Sequence, residues 1–244
     1  MRHVSMMCWM FCVVGVWACD SDECKPMSEY ALHNLQAAPR ANVIAEVLAL
    51  SCSDDIVADP ARYESLVADV EAIIAVDARM NIEPYSVLAY PASLGAYEDE
   101  EVASARAVLD STTCAGRLTK ALSGVASERT STFTQRTRIN VEFPMRLNEP
   151  VLLATYASLG VLFQPTSLAG DGSTVAYVDV SGGREFFFRL GGGDCLDGCT
   201  TWHNFWWRVE GGAVTLLGEW GRENGSSFGQ QPETFEPAAF ARCP

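Results

Sequence analysis

The chain opens on an apolar run and then settles into two kinds of alternation. Met6 to Ala18 is nearly unbroken apolar sequence, thirteen residues long, preceded by Arg2 and His3 and followed directly by Asp20-Ser21-Asp22-Glu23. From 28 to 125 the apolar positions recur at helical spacing. Asp59-Pro60 offers a capping acceptor and a proline suited to a first helical turn. Behind it Tyr63, Leu66, Val67, Val70, Ile73, Ile74 and Met80 share one side, with Arg62, Asp69 and Glu71 on the other. A further helix is predicted from Glu98-Asp99-Glu100-Glu101, where acids suit the positive end of the helix dipole, with Val102, Ala105, Val108 and Leu109 as its inner stripe. Residues 41–50, with Val43, Ile44, Val47 and Leu48, make another.

Residues 123–137 are rich in Ser and Thr and read as a linker, a polar strand pair being the other reading. Beyond 137 the pattern predicts strands at 137–143, 151–163, 174–181, 184–190, 201–210 and 213–220. Gly182-Gly183 and Gly211-Gly212 sit between consecutive strands, where tight hairpins need positive φ, so an antiparallel meander follows. With Gly211-Gly212 as the loop, Glu210 faces Ala213. One face then pairs Val209 with Val214, Trp207 with Leu216, Phe205 with Gly218 and His203 with Trp220. The other pairs Arg208 with Thr215, Trp206 with Leu217 and Asn204 with Glu219. Both faces carry bulky aromatics, so helices should cover one and loops part of the other. The expected fold class is α+β, a helical N-terminal half (28–125) packed on an antiparallel β-meander (126–244).

Charge and cysteine content narrow the setting. The chain has 244 residues, 48% apolar and 20% charged, which is ordinary for a folded protein with a sizeable core. The formal net charge is −14, which argues against a nucleic-acid partner. Nine cysteines without a Cys-x-x-Cys pair, and only His33 and His203 beyond the opening segment, point away from zinc and toward an oxidising compartment. No cofactor is expected.

The apolar run is too short to span a membrane comfortably and has the size of a signal-peptide centre. Its end, Val16-Trp17-Ala18-Cys19, resembles the lipobox of bacterial lipoproteins, although that family prefers leucine at Val16 and a smaller residue at Trp17. The resemblance implies a signal peptide over 1–18, lipidation of Cys19 and a short tether over 19–27. Val-x-Ala also suits ordinary signal peptidase, which would give a secreted protein. Seven cysteines follow Ala18. Lipidation of Cys19 leaves six, an even number able to close disulfides. Cys195 and Cys199 are expected to pair, with Gly198 in the turn, and Cys24, Cys52, Cys114 and Cys243 to pair among themselves.

The densest stretch is Gly193-Asp194-Cys195-Leu196-Asp197-Gly198-Cys199, followed by Trp202, His203, Phe205, Trp206 and Trp207. With Gly170-Asp171-Gly172-Ser173 upstream and Glu219-Trp220-Gly221 downstream, it resembles a module of secreted proteins of Gram-negative bacteria. The resemblance covers about 150–222. It implies export and a β-rich fold and carries no activity. Candidate binding residues are Asp194, Asp197, Trp202, His203, Trp206 and Glu219, since Trp faces are platforms for sugars and cations. The alternative makes the tryptophans core, the aspartates turn residues and the histidine a strand residue, and the weight of the pattern favours it.

No nucleophile elbow, phosphate loop, zinc helix or dinucleotide fingerprint occurs. The first expectation for function is therefore a non-enzymatic lipoprotein of the cell envelope, in the outer membrane or periplasm. Its partners would be the membrane, through lipid, and an envelope or extracellular ligand. The second is a secreted hydrolase of glycan or peptide using His203 and nearby acids.

Overall fold

The computed structural model describes residues 42–165, 172–193, 195, 199–223 and 225–240. The expected signal peptide, the tether with Cys19, and Asp194 and Asp197 lie outside the described residues. The class is α+β, with six helices and two antiparallel sheets among the described residues.

Local chemistry starts the helices where the sequence predicts. Helix α1 (Val43–Ser51) is capped by Asn42, whose side chain accepts from the Ala45 N–H at 3.0 Å. Helix α2 (Pro60–Val76) is capped by Asp59, which accepts from the Arg62 N–H at 2.7 Å, and it buries Tyr63, Leu66, Val70 and Ile73. Helix α3 (Asp99–Ala105) begins with a capping box in which Glu101 accepts from the Glu98 N–H. It then tightens into a 3-10 turn over Arg106–Leu109, which swings Leu109 outward to 42% exposure instead of into the expected stripe. Helix α4 (Cys114–Ala121) follows.

The helical half is only loosely helical, because strand β1 (Ser93–Ala96) lies inside it. The expected linker is instead half of a hairpin, β2 (Val125–Thr130) against β3 (Thr137–Glu142). Strand β2 is an exposed edge, where Ser and Thr remain solvated while their backbone pairs. The strand predicted at 151–163 is a helix, α5 (Glu149–Ser158). Asn148 precedes it, Pro150 occupies its first turn, and Gly160 follows it at φ 75°. These start and stop signals outweigh the β-forming composition of Val151, Thr155 and Tyr156. The short β4 (Gln164–Pro165) completes a first sheet of order β2-β3-β1-β4.

The second sheet is the expected meander: β5 (Thr174–Val180), β6 (Gly183–Gly192), β7 (Thr201–Glu210), β8 (Ala213–Glu223) and β9 (Ser226–Phe228) in spatial order. Gly211 and Gly212 both have positive φ and make the β7–β8 turn. The β5–β6 turn is Ser181-Gly182, one residue earlier than expected, because Gly183 already pairs with Val180 and Glu210. A side chain on Gly183 would strike the Val209 carbonyl, so this glycine serves strand contact.

Two main cores result. One joins α1 and α2 to the inner face of the second sheet through Tyr177, Phe186, Phe188, Phe205, Trp207 and Val209. The other fills the space between the first sheet and α3, α4 and α5. A smaller cluster of Trp206, Trp220 and Phe235 lies on the outer face of the second sheet, under the C-terminal segment that ends in α6 (Pro237–Phe240).

Candidate functional site

Strand β7 carries most of the candidate residues, and its alternation divides them between two faces. Phe205, Trp207 and Val209 point to the helices, and His203 shares their side. Trp202 and Trp206 belong to the outer aromatic cluster.

The pairing of β8 corrects the expected register. Glu210 through Trp207 pair with Ala213 through Leu216 as expected, but the register then shifts, so Trp206 faces Gly218 and Leu217 is the extra residue of a bulge. Phe205 therefore faces Glu219, Asn204 faces Trp220 and His203 faces Gly221. The bulge exchanges the faces of everything beyond it. Glu219 goes to the inner face and Trp220 to the outer one. The unshifted register would have placed the Glu219 carboxylate in the aromatic cluster and the Trp220 ring beside Arg79.

On the inner face, His203 Nε2 lies 2.8 Å from Glu219 Oε1, a close contact not aligned as a hydrogen bond. The His203 ring stacks on Phe205 at 4.2 Å and meets Phe228 edge-on at 4.5 Å. Arg79, from the 3-10 turn over Ala78–Met80, sets its guanidinium 4.5 Å over the Phe205 ring. It reaches Glu219 at 3.2 Å and Asp77 at 2.6 Å. The bonded Arg79 side chain holds the Asp77 carboxyl below its ordinary range, overcoming the opposing effect of burial. A cavity of about 250 Å³ adjoins His203, with Arg222, Glu223 and Phe228 in its wall.

On the outer face, a cavity of about 540 Å³ opens between strands β5 to β8 and the C-terminal segment. Phe187, Trp202, Trp220, Phe235 and Phe240 supply its apolar wall. Thr174, Arg189, Asn204 and Gln231 are its polar members. Trp220 stacks near Phe187 at 6.1 Å and stands edge-on to Phe235 at 4.8 Å. The Arg189 guanidinium lies 5.8 Å from the centre of the Trp202 ring. Asn204 is 6% exposed, and its Oδ1 has no hydrogen-bond partner.

The candidate residues thus fall into separate groups. His203 and Glu219 come together. Trp202 joins the outer cavity. Trp206 is 8% exposed and donates its Nε1–H to Glu185 at 3.0 Å, which makes it a packing residue. Cys195 and Cys199 form the expected disulfide. Arg79, Asp77, Arg189, Asn204 and Trp220 were missed. One signal for Asn204 was available, a lone amide inside a run of aromatic strand residues. Among the described residues, no group of three or more His, Cys, Asp or Glu side chains is placed to hold a metal ion. Likewise none of their helices is long and apolar enough to cross a membrane. Compared with known protein families, curated proteins and solved structures, the chain matches none.

Proposed function

We propose that the chain is an exported lipoprotein of the cell envelope, anchored through Cys19, that binds a small ligand without transforming it. Export is supported by the apolar opening segment and its lipobox-like end. The Cys195–Cys199 bridge agrees with it, as does the disulfide-bonded state of Cys114, since such bonds persist in oxidising compartments.

One observation carries the binding role, the aromatic cavity on the outer face of the second sheet. Its 540 Å³ falls within the roughly 300–1,000 Å³ of small-molecule sites, and a mainly apolar wall with few polar groups is their usual composition. The alternative, hydrolysis at His203, is disfavoured by Arg79. General acid–base chemistry needs groups able to exchange protons with a substrate. Here Glu219, the carboxylate that faces His203, shares the guanidinium of Arg79 with Asp77.

Two measurements test the proposal. Cells fed labelled palmitate should label the wild-type chain and leave Cys19→Ser unlabelled, and equal labelling would remove the anchor. The low-molecular-mass fraction of an envelope extract should shift the tryptophan emission of the wild type and have a much smaller effect on Trp202→Ala. An unchanged wild-type spectrum would remove the binding role.

A further inference from the structure

We infer that the tip of the β2–β3 hairpin docks on an anionic lipid bilayer, with Phe133 entering the boundary between headgroups and acyl chains and Arg129, Arg136 and Arg138 meeting lipid phosphates. The inference is independent of the outer cavity and of the anchor at Cys19. It starts from Phe133, which is 95% exposed, whereas the other exposed large apolar side chains among the described residues reach at most 68%. The turn that presents this ring is held by its own hydrogen bonds. The Ser131 N–H donates to the Arg136 carbonyl and the Gln135 N–H to the Ser131 carbonyl, both at 2.9 Å. The Ser131 hydroxyl accepts from the Thr134 N–H at 3.1 Å, and the Gln135 side chain donates to the Thr132 carbonyl at 2.8 Å. Gln135 takes a φ of 57° to close the turn, a left-handed conformation uncommon outside glycine. The ring therefore projects from an ordered turn, and every residue from 128 to 136 is exposed around it.

Charge selects the partner. Residues 129–138 hold three arginines and no acid, in a chain whose net charge is −14. Arg129 and Arg138 stand directly opposite each other across the hairpin, so they share one face, where like charges repel. Ile139 and Val141 are buried in the core of the first sheet, so alternation turns Arg138 and its partner to the other side. All three arginines are exposed, and none is in an ion pair among the described residues. The adjoining acid, Glu128, is engaged by Arg106 at 3.0 Å. A surface of closely spaced phosphates relieves the repulsion. The apolar part is a single ring flanked by Thr132 and Thr134, far from the contiguous area that a stable protein interface buries. A bilayer needs only one ring at its boundary with cations at phosphate level. By strand rise the arginine pair lies about 10 Å behind the tip, close to the depth of roughly 5–10 Å that interfacial apolar groups reach. Each arginine near an anionic leaflet then adds an attraction confined to about one Debye length.

The test uses the full chain carrying Phe133→Trp, with emission read as the difference from the wild type. The vesicles are phosphatidylcholine alone or phosphatidylcholine mixed with phosphatidylglycerol, each with and without brominated acyl chains. The opening segment of the chain meets both vesicle types, so a signal at position 133 that depends on phosphatidylglycerol reports the hairpin itself. In the mixed vesicles the added indole should shift to shorter wavelength and be quenched by the brominated chains. Both effects should be lost with phosphatidylcholine alone, and lost at high salt, which screens the attraction between arginine and phosphate. Adding Arg129→Gln and Arg138→Gln should remove most of the quenching in the mixed vesicles. That pair of changes takes away a repulsion, so the hairpin keeps its fold, and the salt arm decides the role of charge without them. A water-exposed indole in both vesicle types would overturn the inference, and light-driven crosslinking of Phe133→benzoylphenylalanine to an envelope protein would then assign the tip to a protein partner. Quenching of equal depth in both vesicle types would overturn the role of the arginines.

Discussion

Tyr177 is 1% exposed, and its hydroxyl finds no hydrogen-bond partner. Burial disfavours the phenolate and pushes the Tyr177 pKa up to about 12, with Cys52 and Asp179 acting the same way and Arg62 and Arg184 opposing. The folded value stands above the unfolded one of about 10. The linked stability is therefore complete below pH ~10 and is lost as the pH climbs toward 12, a loss on the order of 3 kcal/mol. Tyr177→Phe removes an unpaired hydroxyl, so at neutral pH it should be as stable as the wild type or up to about 1 kcal/mol more so. Its alkaline limb should be flatter. Urea unfolding across this pH range checks both, and a clear loss at neutral pH would contradict the unpaired state. Asp77 works with the opposite sign. Its folded pKa is lowered by Arg79, so the stabilisation is present above the unfolded carboxylate range and lost as pH falls through the folded value. Arg79 is half exposed, which limits the pair to about 1 kcal/mol, and Arg79→Met should reduce the acid sensitivity by no more than that. The amide of Asn204 marks the limit of single-residue reading. By strand alternation it belongs on the outer face, and the sequence offers no sign that Phe235 and Phe240, more than thirty positions later, come back to cover that face.

At the scale of elements, the bulge at Leu217 decides the composition of both faces. The Gly211-Gly212 turn fixes the first four pairs by local geometry, and those pairs were legible. The shift that follows is driven by tertiary partners. Trp220 gains Phe187 and Phe235, while Glu219 gains Arg79 and His203. Gly218 has no side chain to oppose the close approach of Pro232. A local hairpin rule contains none of these terms. The bulge predicts cross-strand backbone proximities in NMR between Phe205 and Glu219 and between Asn204 and Trp220. Proximities of Phe205 to Gly218 and Asn204 to Glu219 would restore the regular ladder. Deleting Leu217 should preserve the pairs on both sides, because it removes only the unpaired residue. Helix α5 failed in the other direction. Pro150 in the first turn and Gly160 at positive φ after the last one bound it, and these limits outweigh the β-branched and aromatic residues between them.

For the whole molecule, the path of the chain between the two main cores is the feature that patterning alone misses. The N-terminal helices α1 and α2 pack on the C-terminal sheet, while the middle of the chain builds the other core around the first sheet. The segment between β3 and α5 ties them together. Asn148 donates its side-chain N–H groups to the Leu50 carbonyl at 2.9 Å and the Ser53 carbonyl at 2.6 Å. Arg146 donates to the Ala89 carbonyl at 2.7 Å and to Glu46 at 2.8 Å. Glu46 lies within α1 and is 7% exposed, an unusual place for a carboxylate, and Arg146 is the cation that faces it. Two opposing effects set the value of this pair. Forming it required two desolvations, so its net contribution to stability is small. Breaking it from one side takes a 2.8 Å charged hydrogen bond from a carboxylate that is 7% exposed, at a cost of about 1–3 kcal/mol. Arg146→Met should therefore destabilise by that amount, whereas Glu46→Gln with Arg146→Met should recover most of the loss. A double-mutant cycle by chemical denaturation measures the coupling. If Arg146→Met alone cost less than about 1 kcal/mol, the pair would be a solvated surface contact, and the bond between the two cores would have to lie in Asn148 instead.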